Sequence, residues 1–408
     1  MGLAPYGNKD AAETIKQKAL ITEKLCTVYD DGSVFLNQYY FNYATGLTMV
    51  NEKAWEILFG FRRRKKDEPL TMSHCNMAIA IQMVTEEIVV KMANEARRIT
   101  GSENLCMAGG VALNCVANSK LLQDGIFKKI HIQPAAGDAG AAIGAALTAY
   151  HIFYGNDKPV DGISMHGTYL GPSFSNDAVL QVLKKYRASF TYHEAATLYD
   201  WVAEQIEAGL VVGWFQGRME FGPRALGNRS IIADPRKKGM QQQLNLKIKF
   251  RESFRPFAPA VLTEKASDFF KMNNPSPYML FVYQVKDFTE NMCTEGLGME
   301  QKAAAVSNAL PAVTHVDGSA RVQTVDAITN PEFYALLSAF EKRTGCPVLV
   351  NTSFNRRGEP IVCTPYDAYR CFMSTDMDYL VIEDFVYSKI EQPNFENKEH
   401  WKLKFNLD

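Results

Sequence analysis

The sequence predicts an α/β (α+β mixed) protein with two domains, and three observations carry this prediction. The chain has 408 residues, which is long enough for two domains. Residues 72–100 carry apolar side chains at the spacing of a core-facing helix, from Met77 and Ile81 to Met92 and Ile99. Two short apolar runs further along the chain each end in glycines that precede another helical stretch. Strands that alternate with helices in this way favour an α/β architecture.

A stretch rich in Gly, Ser and Pro, at residues 162–176, separates two helical regions and marks the domain boundary. We therefore predict a first domain at residues 1–165 and a second at residues 166–395. Residues 396–408 form a polar C-terminal tail.

Composition excludes several classes of protein. Hydrophobic residues make up 47% of the chain and charged residues 22%, as in an ordinary globular protein. There is no signal-peptide pattern and no apolar run of about 20 residues. A net charge of −1 argues against general nucleic-acid binding. The eight cysteines lack metal-binding spacing, which favours reduced thiols. We expect a cytoplasmic protein that binds neither nucleic acid nor a membrane.

One stretch, residues 217–257, is strongly basic. It holds ten basic and three acidic residues, a balance of +7, so the rest of the chain sums to −8. A concentrated positive region in a neutral protein indicates a local anionic partner. A solvated loop followed by an amphipathic helix is the alternative, but the glycines, prolines and aromatic residues within the stretch argue against it.

Two arginines in this stretch, Arg224 and Arg229, flank a compact segment at residues 225–228. Guanidinium groups placed in this way can hold phosphate or carboxylate oxygens in pairs. The loop directly follows a predicted strand at residues 211–215, and ligands of open α/β sheets commonly bind there. We interpret Arg236 and the two lysines after it as solvated surface.

Two glycine turns earlier in the chain predict a nucleotide cleft. The predicted strand at residues 105–111 ends in Gly109 and Gly110 and leads into a helix. A second strand, at residues 130–133, is followed by glycines on both sides of Asp138. Helix N-termini after such turns favour anions. An N-cap role for Asp138 is the alternative.

Two later segments carry polar groups toward the same kind of site. Arg321 alternates with Val322 on a predicted strand, after a turn in which His315 is more simply explained as structural. A further strand at residues 348–350 leads into the run Asn351–Asn355. Its amide and hydroxyl groups suit the orientation of a carbonyl or phosphate group, although an ordinary Asn/Ser turn also explains them.

Six blocks of the sequence together resemble the NodU/CmcH family of carbamoyltransferases. The blocks are GRMEFGPRALGNRSIIADPR, IKFRESFRPFAPAV, THVDGSARVQTV, LVNTSFNRRGEPIV, AGGVALNCVANSKL and PAAGDAGAAIGAA. The resemblance covers nearly the whole chain and keeps the order of the blocks. It implies an actin-like ATPase domain followed by an α/β domain similar to threonylcarbamoyl-adenylate synthases.

The resemblance also implies a reaction. ATP and carbamoyl phosphate would form carbamoyl adenylate, and the carbamoyl group would pass to a hydroxyl of a small molecule or glycoside. A divalent metal is implied, Mg²⁺ or, in a complete site, Fe²⁺.

Site residues follow from the same resemblance. Four cationic side chains match positions that bind phosphate groups: Arg224, Lys249, Arg255 and Arg321. The pocket would also be lined by Asn351, Ser353 and Asn355. The glycine turns would bind the nucleotide through Gly109, Gly110, Asn114, Gly137 and Gly140, and Asp138 would bind the metal.

The chain departs from the family pattern at its start. Family members carry a further N-terminal stretch with a histidine pair that completes the metal site, whereas this chain begins at the motif MGLAPYG. We therefore expect a partial actin-like domain with an incomplete metal site, beside an intact adenylate-forming half. A complementing N-terminal subunit or a homo-oligomer would be a partner. The competing hypotheses are a nucleotide-binding module or split subunit, and an ATP-dependent kinase.

Overall fold

The computed structural model describes residues 1–65, 68–157, 165–289 and 297–393. The chain forms two compact units. The first comprises residues 1–108 and 114–132, and the second comprises residues 109–113 and 133 onward. The predicted boundary near residue 165 adjoins a segment outside the described residues and stays a prediction, and the predicted tail at 396–408 also lies outside them.

The first unit combines helices with two small sheets. Its helices are α1 (Ala12–Leu20), α2 (Glu52–Phe59), α3 (Met72–Thr100) and α4 (Cys115–Asp124). Its strands are β1 (Cys26–Val28), β2 (Val34–Leu36), β3 (Asn104–Met107) and β4 (Lys129–Ile132). Strands β1 and β2 pair antiparallel, whereas β3 and β4 pair parallel.

Helix α3 has the bounds that its sequence pattern predicts. His74 Nδ1 accepts a hydrogen bond from the Thr71 N–H at 3.0 Å at the start, and Gly101 ends the helix with φ of +64°. A left-handed residue at this position favours glycine. The helix therefore begins and ends where its capping residues stand.

The predicted core face of α3 is only partly correct. Val84 is buried, but Ile81, Met92 and Ile99 are exposed. The buried positions are instead filled by smaller or polar side chains: Cys75, Asn76, Ala80, Gln82, Val89 and Ala93. Hydrophobic spacing alone did not identify this face, because small residues that allow close packing carry little weight in such a pattern.

The second unit is built around an eight-stranded mixed sheet. Its helices are α5 (Asp138–Thr148), α6 (Asn176–Lys184), α7 (Ala195–Glu207), α8 (Met240–Gln243), α9 (Ala266–Phe269), α10 (Met299–Ala304), α11 (Pro331–Thr344) and α12 (Pro365–Met373). Its strands are β5 (Thr191–Tyr192), β6 (Val212–Phe215), β7 (Arg229–Ala233), β8 (Ala258–Leu262), β9 (Val282–Gln284), β10 (Ser319–Arg321), β11 (Gln323–Val325), β12 (Val348–Ser353), β13 (Tyr379–Ile382) and β14 (Phe385–Ser388). The predicted mixed α/β class is confirmed.

The order of strands in the large sheet is β11-β8-β12-β7-β6-β13-β14-β5. Strands β6, β7 and β8 are buried at every position, so both faces of the sheet are covered. Helices α7 and α11 pack together, as do α6 and α12. The core includes Trp214, Phe333 and Tyr369.

Helix α8 continues into a π-helical turn at Leu244–Ile248. The segment after this turn joins the large sheet as a strand only from Ala258. No helix in the described part of the chain is long and apolar enough to cross a membrane.

Candidate functional site

One end of the large sheet gathers the predicted phosphate-binding segments. Strand β12 runs antiparallel to β7 and β8, and β7 runs antiparallel to β6. The carboxyl ends of β6 and β12 therefore lie at the same end of the sheet as the amino ends of β7, β8 and β11. The loop before β7, the basic segment before β8 and the polar turn at the end of β12 all lie at this end.

Lys249 joins two of these segments. Its side chain is buried, and its ammonium group donates to the Asn355 carbonyl at 3.0 Å and to Asn355 Oδ1 at 2.9 Å. It also donates to the Ser353 carbonyl. Burial lowers the pKa of Lys249 to about 7, and the neighbouring Arg251 charge contributes. The three bonds hold the basic segment against the turn at the end of β12.

The same turn is ordered by its own side chains. Ser353 Oγ donates to Asn355 Oδ1 at 2.7 Å, and Asn355 Nδ2 donates to the Glu359 carbonyl at 2.6 Å. Glu359 in turn forms a buried ion pair with Arg356 at 2.6 Å. Both Ser353 and Asn355 are half-buried, so they line this end of the sheet next to Lys249.

An arginine cluster lies beside Lys249. Arg251 is largely buried, and burial lowers its pKa to about 10, with repulsion from Arg255 and Arg321 adding to the effect. Two of these arginines, Arg255 and Arg321, belong to the predicted set. The structure thus places both within electrostatic reach of Arg251.

Two members of this cluster were missed in the sequence. Arg251 lies two residues after Lys249 in the same basic run, and that alternation was the available signal. Arg357 follows the polar turn, and its Nη1 lies 3.8 Å from Glu252 Oε1. Nothing in the local sequence places Arg357 near residue 252, because the approach depends on the pairing of β8 with β12.

The segment that follows Arg224, residues 225–228, is held by buried side chains. Glu220 Oε1 accepts hydrogen bonds from the Leu226 N–H at 2.6 Å and the Asn228 N–H at 2.8 Å. The Leu226 carbonyl accepts from Gln323 Nε2 at 2.7 Å and from the Tyr169 hydroxyl at 2.8 Å. The backbone next to Arg224 is therefore fixed before any ligand binds.

Asn351 belongs to this support. It is 1% exposed, and its Nδ2 donates to Gln323 Oε1 at 2.7 Å and to the Ala225 carbonyl at 3.3 Å. Asn351 therefore ties the end of β12 to the residue next to Arg224. Its role as a ligand-binding side chain stays a prediction.

Gly227 is required at its position in the loop. Its φ is +112°, and a Cβ there would lie 2.3 Å from Phe333 Cδ1 at the start of α11. Both the backbone conformation and the close approach exclude a larger residue. The loop is thus packed directly on α11.

Arg229 does not match the expectation of a phosphate-binding partner for Arg224. It is fully buried and donates to the carbonyls of Gln216 and Asn228, both at 2.8 Å. Its guanidinium lies over the Phe215 ring at 3.4 Å from the centroid. Burial lowers the pKa of Arg229 to about 10. Arg229 therefore connects the two ends of the loop through its hydrogen bonds. The expectation that it binds an anion is wrong.

Arg236 also corrects a sequence-based interpretation. Its guanidinium pairs with the fully buried Asp234, with the shortest contact at 2.8 Å, and lies over the Phe340 ring. The following lysines, Lys237 and Lys238, are exposed as expected. A buried carboxylate two residues earlier explains why Arg236 is not solvated surface.

The two glycine turns meet within the second unit. The Gly109 N–H donates to the Ala136 carbonyl at 2.8 Å. Gly109 has φ of +97°, which favours glycine, and a Cβ at Gly140 would lie 2.2 Å from the Ala135 oxygen. Close packing thus explains Gly140, whereas no atom of the described residues lies within 4 Å of a Cβ added at Gly110.

The remaining predicted residues of the nucleotide cleft have separate surroundings. Gly137 is the N-cap of α5, so the alternative that Asp138 caps this helix is wrong: Asp138 is its first residue and is exposed. Asn114 belongs to the first unit, where it caps α4 and pairs with Gln82 at 3.2 Å. Binding of nucleotide by these residues stays a prediction.

A metal site at Asp138 is not supported by its surroundings. The described ranges contain no group of three or more His, Cys, Asp or Glu side chains that could hold a metal ion. An exposed carboxylate alone does not make a ligand set. No step of the chemistry is therefore assigned to a metal at Asp138.

Comparison with known protein families identifies the chain. The model described as "Carbamoyltransferase N-terminus" matches residues 1–147, and the one described as "Carbamoyltransferase C-terminus" matches residues 203–389. The chain belongs to the carbamoyltransferase family. The expectation that an N-terminal part of the first domain is lacking is not borne out, since the N-terminal family domain is present.

Individual relatives agree with this assignment. The chain is 53% identical to an uncharacterized protein of Synechocystis sp., over 100% of this chain and 66% of that protein. It is 38% identical to nodulation protein NolO of Bradyrhizobium diazoefficiens, over 95% of this chain and 65% of the relative. It is 33% identical to the 3'-hydroxymethylcephem-O-carbamoyltransferase of Streptomyces clavuligerus, over 76% of this chain and 54% of that relative. The chain thus spans about two thirds or less of the length of these relatives.

Proposed function

We propose that this chain acts in ATP-dependent O-carbamoyl transfer, in which ATP and carbamoyl phosphate yield carbamoyl adenylate and a hydroxyl group of a small molecule receives the carbamoyl group. The observation that carries the proposal is the arginine cluster at the sheet end, next to the Lys249-bound turn. Membership of the carbamoyltransferase family supports the transferred group.

The chemistry suits a cationic site with no dedicated general base. Water splits carbamoyl phosphate into carbamate and inorganic phosphate. A carbamate oxygen then attacks the α-phosphorus of ATP, and pyrophosphate leaves. Both steps concentrate negative charge on phosphate oxygens, and fixed guanidinium groups stabilise such transition states electrostatically. In this proposal Arg255 and Arg321 bind phosphate groups, and Lys249 positions the turn beside them.

The fixed backbone around Arg224 supports its role in the same proposal. A cation on a preorganised loop needs little reorganisation when charge develops, which is the condition for efficient stabilisation. The contacts of Glu220 and Gln323 with Leu226 supply that preorganisation.

Pyrophosphate release tests the proposal. Purified protein with ATP, Mg²⁺ and carbamoyl phosphate should release pyrophosphate, and omission of carbamoyl phosphate should abolish the release. Arg255→Gln should reduce the rate by about 10- to 100-fold, because a charge-assisted contact to phosphate is lost. The matched control is Arg343→Gln, an arginine whose partners are the surface acids Asp200, Glu204 and Glu207.

The products separate the alternatives. ADP in place of pyrophosphate would indicate a kinase, and nucleotide binding without turnover would indicate a binding module. Pyrophosphate release that is equal in wild type and Arg255→Gln would contradict the role of the cluster.

A further inference from the structure

The Glu252 carboxylate lies within the arginine cluster. Glu252 Oε2 is 3.0 Å from Arg255 Nε, and its other oxygen is 3.8 Å from Arg357 Nη1. Arg251 is within electrostatic reach of Glu252, Arg255 and Arg321. The guanidinium groups of Arg251, Arg255 and Arg357 therefore face the Glu252 carboxylate, and Arg321 adds a further positive charge near Arg251, so these five side chains keep an excess of positive charge.

The cluster is open enough for an anion from solution. The side chain of Glu252 is 27% exposed, that of Arg357 23% and that of Arg255 44%. Arg255 meets Glu252 most closely through Nε, which lies at the base of the guanidinium group. A guanidinium group has five N–H donors, so its terminal nitrogens can contact a second anion.

We propose that Glu252 is an internal counter-anion of the arginine cluster. In the ligand-free protein its carboxylate offsets part of the positive charge of the arginines. When ligand binds, a phosphate group replaces this carboxylate as a contact of the arginines. This inference rests on the proposed function only in that the ligand carries phosphate groups. A ligand must compete with Glu252, so a polyphosphate, which brings several charges at once, is favoured over a single phosphate. Glu252 thereby sets the selectivity of the site.

Removal of the Glu252 charge should lower the stability of the ligand-free protein and raise its affinity for a phosphate ligand. Without ligand, the guanidinium groups repel one another more strongly, so the folded state becomes less stable. With ligand, the phosphate meets one more uncompensated positive charge and no competing carboxylate, so binding becomes tighter. A residue that merely supported the fold would lower stability without strengthening binding.

The experiment compares wild type with Glu252→Gln by thermal unfolding in increasing concentrations of inorganic pyrophosphate and inorganic phosphate. The variant should have a lower Tm without ligand. Its apparent affinity for pyrophosphate should be about tenfold higher, and phosphate, which should stabilise the wild type only weakly, should stabilise the variant clearly.

The matched control is Glu341→Gln. The Glu341 side chain is 29% exposed and has an ion pair with Lys265 at 3.5 Å, close to the exposure and pairing of Glu252. It lies in α11 just before the amino end of β12, which is the opposite end of the sheet from the cluster. Its substitution should leave the affinity for both anions unchanged.

Equal or weaker pyrophosphate affinity in Glu252→Gln would overturn the inference and leave the proposed function standing. If neither anion stabilises either protein, both the inference and a phosphate-bearing ligand are overturned. Should Glu252→Gln fail to fold, Arg357→Gln decides the matter: it should bind pyrophosphate about tenfold more weakly, whereas Arg343→Gln should not. Unchanged affinity in Arg357→Gln overturns the inference as well.

Discussion

The hydrogen-bond partners of the charged side chains buried at this end of the sheet are largely backbone groups. Glu220 accepts from backbone N–H groups, Arg229 donates to carbonyls, and Lys249 donates mainly to carbonyls. Backbone partners satisfy a buried charge without neutralising it, so burial still shifts the pKa of each group. Burial raises the pKa of Glu220 and lowers the pKa of Lys249 to about 7. The pH dependence of stability should therefore originate at the site itself.

The buried carboxyl group of Glu383 should make the stability of the protein depend on pH. Burial raises its pKa from 4.5 to about 7, opposed by Arg229 and by the Gly217 N–H, which donates to Glu383 Oε1 at 3.0 Å. Glu332 and Asp384 add repulsion. The folded state therefore binds the proton more tightly than the unfolded state, and the contribution of Glu383 to the free energy of unfolding falls as pH rises from 4.5 to about 7.

Glu383→Gln keeps an acceptor for Gly217 and removes this titration. We expect a higher Tm than wild type at pH 8 and a much smaller difference at pH 5, measured by thermal unfolding across that range. A Tm difference that does not depend on pH would contradict the assignment.

Lys249 should change the free energy of unfolding with pH in the opposite direction from Glu383, and at higher pH. Because its pKa is lowered from 10.5 to about 7, the unfolded state binds more protons between these values. The contribution of Lys249 to the free energy of unfolding therefore rises with pH from about 7 upward and is smallest below it. Lys249→Met should flatten the dependence of the free energy of unfolding between pH 7 and 9, whereas the exposed Lys271→Met should not. Urea unfolding at several pH values measures both slopes.

The loop at residues 216–228 is held in its conformation by side chains that are distant in the sequence. Gln323 donates to Leu226 and accepts from Asn351, so it connects the loop with β11 and β12. Asn330 caps α11 and also donates to Asn228 Oδ1 at 2.8 Å. Side-chain hydrogen bonds from β11 and from the start of α11 thus hold the loop in place.

Gln323→Leu tests this support. The substitution leaves the Leu226 carbonyl and Asn351 Nδ2 with one partner fewer, which should lower the free energy of unfolding by about 1–3 kcal/mol. The exposed Gln242→Leu in α8 should change it by less than about 0.5 kcal/mol. Chemical denaturation gives both values, and hydrogen exchange at Leu226 should accelerate only in Gln323→Leu.

The individual elements were largely predictable from the sequence, whereas their contacts were not. The bounds of α3 follow from the periodicity of its apolar residues and from the glycine at residue 101 that ends it. The motifs predict four cationic site residues, Arg224, Lys249, Arg255 and Arg321. The contribution of Arg357 and the burial of Arg229 depend on strand pairing between distant segments, which no local pattern encodes.

The second unit has a hydrophobic core of its own. The hydrophobic cluster around the large sheet draws its buried members from residues between Val179 and Tyr387. A fragment of residues 165–393 contains all of them. Its stability should therefore not require the rest of the chain.

We expect the fragment 165–393 to unfold cooperatively and to be stabilised by pyrophosphate. A fragment limited to residues 203–389, the extent of the C-terminal family match, is the control. It lacks Val179, Leu183, Leu198 and Val202, all of which are buried in the core, and should fail to fold. Near-ultraviolet circular dichroism and thermal unfolding distinguish the two. A non-cooperative 165–393 fragment would contradict the autonomy of the core.

The hydrogen bonds that shape the site connect residues far apart along the chain. Lys249 and Asn355 are separated by 106 residues, Asn351 and Ala225 by 126, and Gln323 and Leu226 by 97. Contacts of such long range form late, because loop closure must come first. During synthesis, the site cannot assemble until β12 has left the ribosome. A phosphate ligand should accordingly slow unfolding of the finished protein while leaving its folding rate nearly unchanged.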